Sequence, residues 1–299
     1  MAIPTKSYED IFERYSDAIK WMIDVGVQIG TGRTSHYEKI VGYWKDSYKT
    51  ASAEEGKKIF PDFVSSMFEI HDFMDVYEAF QNVPPDRLTS IVHKLNKAVN
   101  GPINAMEETP KSTTARNFLF EAVVAAKANN PSNGIQAILH AESDTGISIE
   151  GKKIWVECKR ISTPDNIESN IRGASKQLES ILKKKVGSGH RGIVALDVSK
   201  IVNPKDQIFV SNNDSELLES VDQMMDKFIR KYSSIWQHIY ERRHTKVIGT
   251  IIRFAFMSSS EARNILVHTS QWGVNPRLEI SCGDEHIQRL LASKLNGAL

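Results

Sequence analysis

The rhythm of apolar and polar positions changes partway along the chain. Over the first hundred residues, apolar side chains recur at three- and four-residue spacing, the signature of one buried helical face. Ser7 and the acidic turn Glu9-Asp10 open a run through Ile11, Tyr15, Ile19 and Ile23. Ser35 and Glu38 read as a capping box ahead of Ile40, Val41 and Trp44. Pro61, a residue suited to a first helical position, opens a third run through Phe63, Met67, Ile70, Met74 and Tyr77. Pro84-Pro85-Asp86 opens a fourth, closed by Gly101-Pro102. Four helices with short connections predict a helical bundle over residues 1–110. Glu107 to Thr114, with Pro110, reads as a linker.

A helix then carries Phe118, Leu119, Ala122, Val123 and Ala126 until Asn129–Gly134 stops it. The period now becomes two. Ile135–His140, Asp144–Ile149 and Ile154–Arg160 read as strands, with Glu150-Gly151-Lys152 as a turn. Ile171–Lys184 is a helix, and Gly192–Val198 an apolar, buried strand. Ser215–Tyr240 is a long amphipathic helix whose Met and aromatic stripe reads as core. Strands over Val247–Met257 and Asn264–Thr269 and a helix over Asp284–Leu291 complete the chain. The class is α/β, with an N-terminal all-helical domain and an α/β domain over residues 111–299.

Composition narrows this picture. With 299 residues, 40% hydrophobic and 25% charged, the chain can bury a sizeable core in one large or two modest domains. The absence of any run of about 18 apolar residues predicts no membrane span. Acidic residues near the start predict no signal peptide. Two cysteines, Cys158 and Cys282, make neither a disulfide framework nor a zinc spacing, so the expected compartment is the reducing cytoplasm. The net charge of +1 is uneven. Residues 1–110 carry 12 Lys and Arg against 17 Asp and Glu, whereas residues 151–210 carry 12 against 6. A positive block of that kind suits a phosphate-binding surface, and equally a solvated basic helix.

The block overlaps the chain's most suggestive chemistry. Three Glu-x-Lys triplets occur, at Glu55-Gly56-Lys57, Glu150-Gly151-Lys152 and Glu157-Cys158-Lys159. Only the third lies in a β-branched and aromatic alternation. There, Trp155, Glu157 and Lys159 share one face, the last two about 6.5–7 Å apart along the strand. Asp144 lies upstream across a hairpin, and Glu121 lies on the preceding helix. By contrast, Gly30-Thr31-Gly32-Arg33-Thr34-Ser35 lacks the third glycine of a dinucleotide loop and the lysine of a phosphate loop. It reads as a helix-to-helix turn.

The third triplet and its surroundings resemble the PD-(D/E)XK nuclease superfamily, the restriction-endonuclease-like fold. That resemblance spans residues 115–200. It implies a core of helix, three strands, helix and strand, in which Glu121 is the helix acid and Asp144 the strand acid. Glu157 and Lys159 then form the Glu-x-Lys pair, and Gln177 the glutamine on the following helix. Ser143 stands where the family has proline, and Glu142 competes with Asp144 for the role of metal acid.

The implied activity is Mg²⁺-dependent phosphodiester hydrolysis, with Mn²⁺ able to substitute, most naturally as a DNA endonuclease in bacterial restriction or phage defence. Glu121, Asp144 and Glu157 would hold metal, and Lys159 would orient water or offset developing charge. Arg172, Lys176, Lys183, Lys184 and Lys185 would contact phosphates. The partners expected are nucleic acid, and a second copy or a partner protein through the helical domain. The alternative is a nucleic-acid-binding or assembly scaffold without turnover. Each residue also has a plain structural reading: a cross-strand ion pair for Glu157 and Lys159, a turn for Asp144, a paired core-edge acid for Glu121, and a helix C-terminus for the lysine run.

Overall fold

A computed structural model of the chain describes residues 3, 5–109 and 112–296. In chain order, helices α1 (Tyr8–Asp24), α2 (Arg33–Ser47), α3 (Ala53–Phe80), α4 (Thr89–Ala98) and α5 (Thr114–Lys127) come first. Strands β1 (Ile135–Ile138), β2 (Thr145–Ile149) and β3 (Lys152–Arg160) follow. Helix α6 (Ile167–Lys184), strand β4 (His190–Asp197) and the short α7 (Ser199–Val202) come next. Strand β5 (Phe209–Ser211), α8 (Asp214–Glu241), β6 (Val247–Ser260), β7 (Ile265–Pro276) and α9 (Cys282–Asn296) complete the order. Among the described residues no helix is long and apolar enough to cross a membrane.

The chain divides into two compact units, each drawn from three segments. The first takes in residues 1–123, 205–217 and 256–269, and the second residues 124–204, 218–255 and 270–299. The first unit contains the expected helical region. Ser7 caps α1, accepting from the Asp10 N–H at 3.0 Å while the Asp10 carboxylate accepts from the Ser7 N–H at 3.0 Å.

Four helix starts differ from expectation: α4 begins at Thr89, after a single turn over Pro85–Arg87, α6 begins at Ile167 rather than Ile171, and α2 and α3 differ as follows. Helix α2 begins at Arg33, so Ser35 lies inside it and donates to the Gly30 carbonyl, while Glu38 accepts from Ser16 on α1. Helix α3 begins after Ser52, whose hydroxyl and Glu55 form the capping box, and Pro61 sits within the helix. Its first two turns carry few apolar residues, so periodicity alone placed the start too late. Pro110, read as linker, lies outside the described residues.

The Gly30–Ser35 stretch is the α1–α2 connection, and its charged residue is structural. Arg33 is fully buried and donates to Glu69 at 2.8 Å and to the Ala98 carbonyl at 2.9 and 2.6 Å, capping the end of α4. Arg116 reaches the other oxygen of Glu69 at 2.5 Å. One buried carboxylate thus sits between two buried guanidinium groups.

The second unit is built on a mixed sheet. β1 pairs antiparallel with β2 and β2 with β3, after which β3, β4 and β6 run parallel. Helix α6 connects β3 to β4, as a parallel pair requires. Its apolar stripe of Ile167, Ile171, Ala174, Leu178 and Leu182 is buried. Gly192 on β4 leaves room for it, because a Cβ there would stand 3.1 Å from Leu182 and 3.4 Å from Leu178. Beyond residue 255, the end of β6 belongs to the first unit and pairs in parallel with β5, a strand too short and polar-flanked to announce itself in the sequence.

Candidate active site

The hairpin of β2 and β3 sets the geometry. Its two turn residues, Glu150 and Gly151, both have positive φ, at 44° and 72°. That is the two-residue turn whose twist matches paired strands. The turn fixes Ile149 opposite Lys152 and Thr145 opposite Val156. One step further along the same register, Asp144 stands opposite Glu157. Asp144 precedes β2 rather than belonging to it, and its Oδ2 accepts the Cys158 N–H at 2.8 Å. Ser143, in the place of the family's proline, accepts the Val156 N–H at 3.2 Å. Two side chains therefore close the mouth of the hairpin where backbone pairing stops.

Lys159 bridges the acids. Its Nζ lies 3.5 Å from Glu157 Oε2 and 3.7 Å from Asp144 Oδ2. Glu157 is 3% exposed, whereas Asp144 and Lys159 are partly open to solvent. Burial first, and then the neighbouring Asp144 carboxylate, push Glu157 up to about 7; Lys159 acts in the opposite direction. A buried carboxyl thus stands beside a second one, with a single partly open ammonium between them. Cys158, on the opposite face of β3, is buried as expected.

The other expected residues are placed differently. Glu121 belongs to the first unit, where Lys94 pairs with it and both side chains are nearly buried. Gln177 is exposed on α6, and among the described contacts no hydrogen bond joins it to Asp144, Glu157 or Lys159. Glu142 is exposed and forms an ion pair with Lys185, which sets it apart from the pair formed by Asp144 and Glu157.

Of the expected phosphate contacts, Arg172 pairs with Glu168 and Lys183 with Glu179 one turn away. Lys184 and Lys176 are exposed. Arg172 and Lys176 line a shallow surface groove along α6 with Asp165, Glu168, Ser169 and Gly173.

Among the described residues no group of three or more His, Cys, Asp or Glu side chains is arranged to hold a metal ion. The donors on offer are two carboxylates, a set that suits an ion such as Mg²⁺, which keeps several waters and is held by one or two protein oxygens. At the opposite end of β3, Trp155 is joined by His190, and Lys153 and Lys246 lie at the same end; the last three were not singled out by the sequence. Alternation puts Lys153 and Trp155 on the face of Glu157, but only the pairing of β3 with β4 brings His190 beside them. No family model, curated protein or solved structure matches the chain.

Proposed function

We propose that the chain is a metal-dependent nuclease of the PD-(D/E)XK type, acting on DNA as an endonuclease. The observation that carries this reading is the convergence of Asp144, Glu157 and Lys159 at the open end of one hairpin. The order α5, three antiparallel strands, α6 and a parallel strand supports a restriction-endonuclease-like core.

Asp144 and Glu157 would hold Mg²⁺, or Mn²⁺ in its place, which when bound supplies Lewis-acid neutralisation of the phosphoryl oxygens. The residues do the rest. Glu157, whose proton is held up to about 7, would give it up to act as an oxygen ligand. Lys159 is held between them, its ammonium directed by two acceptors, and it orients the attacking water or offsets charge on the phosphoryl oxygen. Water adds to phosphorus and the P–O ester bond breaks, leaving one phosphate monoester and one hydroxyl. Glu121 is engaged by Lys94 and Gln177 faces solvent, so neither enters this reading.

Incubating the purified chain with supercoiled plasmid and Mg²⁺ or Mn²⁺ tests the proposal. Cleavage is expected, and Lys159→Ala should slow it by about 100-fold or more, the range seen when an oriented charge at a reacting centre is removed. Intact plasmid with the unaltered chain, or equal cleavage by the variant, sinks it. Plasmid binding without cleavage would instead mark a non-catalytic binding module.

A further inference from the structure

Where β3 and β4 begin, a second group of side chains gathers. Trp155 precedes Glu157 by two residues on the same face, about 6.5–7 Å along the strand. Its ring lies parallel to that of His190, with centroids 5.9 Å apart and planes 9° from coincidence. Lys185 Nζ sits 5.0 Å from the centroid of the same indole. Lys153 is the register partner of His190. Lys246 donates to the Gly187 carbonyl at 2.8 Å, which brings a third ammonium to the turn between α6 and β4. At that turn Val186 is 92% exposed.

Two features separate this corner from an ordinary solvated helix end. Favourable placement of cations at a helix C-terminus accounts for Lys184 and Lys185, which close α6. It does not account for Lys153 from β3 or Lys246 from the residue before β6. Second, Trp155 Nε1 and His190 Nδ1 are both buried without a hydrogen-bond partner among the described residues, and Trp155 as a whole is 6% exposed. Unpartnered buried polar atoms are uncommon and costly. Burial, followed by Lys153, Lys185 and Lys246, holds the His190 pKa below its ordinary value, which fits a surplus of positive charge here. The acid paired into the group is Glu142, on Lys185.

We infer that this corner is a strand-binding subsite for nucleic acid, in which Lys153 and Lys246 take phosphates some nucleotides away from the scissile one, and Val186 and His190 lie against the sugar and base. The inference rests on the nuclease reading of Asp144, Glu157 and Lys159 and extends it to substrate placement. Phosphate contacts supply most of the affinity for a single strand, and a flat or apolar side chain beside them adds sequence-tolerant contact.

The test is fluorescence anisotropy of the full chain with a fluorescein-labelled oligothymidylate in EDTA, over a range of NaCl concentrations. A Lys153→Gln, Lys246→Gln double variant should bind about tenfold more weakly at low salt, with a salt slope shallower by roughly 1.4, at about 0.7 per lost phosphate contact. Val186→Asp should also weaken binding, by placing a like charge against the strand. Lys20→Gln, Lys97→Gln, which removes equal charge from exposed sites on α1 and α4, should change neither quantity. Equal affinity and slope in the two double variants, or no binding of the oligonucleotide at all, overturns the subsite. Because EDTA removes cleavage from the measurement, a chain that cuts plasmid yet fails this test keeps its active site and loses the subsite.

Discussion

Glu157 carries the sharpest consequence at the scale of single residues. Its carboxyl is raised to about 7 in the folded chain, chiefly by burial. The folded state therefore binds that proton more tightly than the unfolded state does. Without metal, the contribution of this one group to stability is fully present below about 4.5, is lost as pH rises, and is gone above about 7. The loss has a ceiling of about 3–4 kcal/mol, because each tenfold difference in proton affinity between the two states is worth about 1.4 kcal/mol. Urea unfolding in EDTA at pH 4.5 and pH 8 should show that the unaltered chain loses more stability, or gains less, between the two than Glu157→Gln does. Parallel profiles for the two proteins would contradict the burial account. Trp155, Glu157 and Lys159 were legible as one face because alternation is a property of a single strand. The choice of Asp144 over Glu142 was not, because it depends on Lys185, which arrives from the far end of α6 to engage Glu142.

At the scale of elements, the two-residue turn sets the register and so the site. Gly151, at φ 72°, has the residue that conformation favours; Glu150, at φ 44°, does not. Opposite substitutions should then have opposite signs. Gly151→Ala is expected to destabilise the chain by about 1 kcal/mol, and Glu150→Asn to stabilise it by about 0.5 kcal/mol, with exposed His286 losing a contact of little consequence. Thermal denaturation midpoints measure both, and shifts of the same sign would refute the turn assignment. The turn was readable from Glu150-Gly151-Lys152, as was the sequence of strands around it. The start of α3 was not, because Ser52 and Glu55 cap a helix whose first turns are polar, and Pro61 offered a more conspicuous landmark. Ser35 and Glu38 matched a capping motif by spacing alone. Their partners, Gly30 and Ser16, depend on how the chain enters α2 and on how α1 packs against it.

At the scale of the whole molecule, the division into units departs most from a linear reading. The helical region looked self-contained over residues 1–110. The first unit, however, also needs residues 205–217 and 256–269. Asp214 accepts from Ser260 at 2.6 Å, from the Ile3 N–H at 2.8 Å and from Arg263 at 2.7 Å, contacts that in this order hold its carboxyl down at about 2. Contacts separated by 211, 46 and 49 residues leave no local pattern, which is why no periodicity revealed them. A fragment of residues 1–123 lacks Asp214, Ser260 and Arg263. It should be cut by trypsin markedly faster than the same residues in the intact chain; equal resistance would show that the later segments are dispensable. The interleaving also has a consequence for synthesis. Thr269 follows Val123 by 146 residues, and both belong to the first unit. At about 5–20 residues per second, a ribosome needs roughly 7–30 s to deliver what the first unit still lacks. Helices α1 to α4 would thus wait, without their last partners, while the residues between are made.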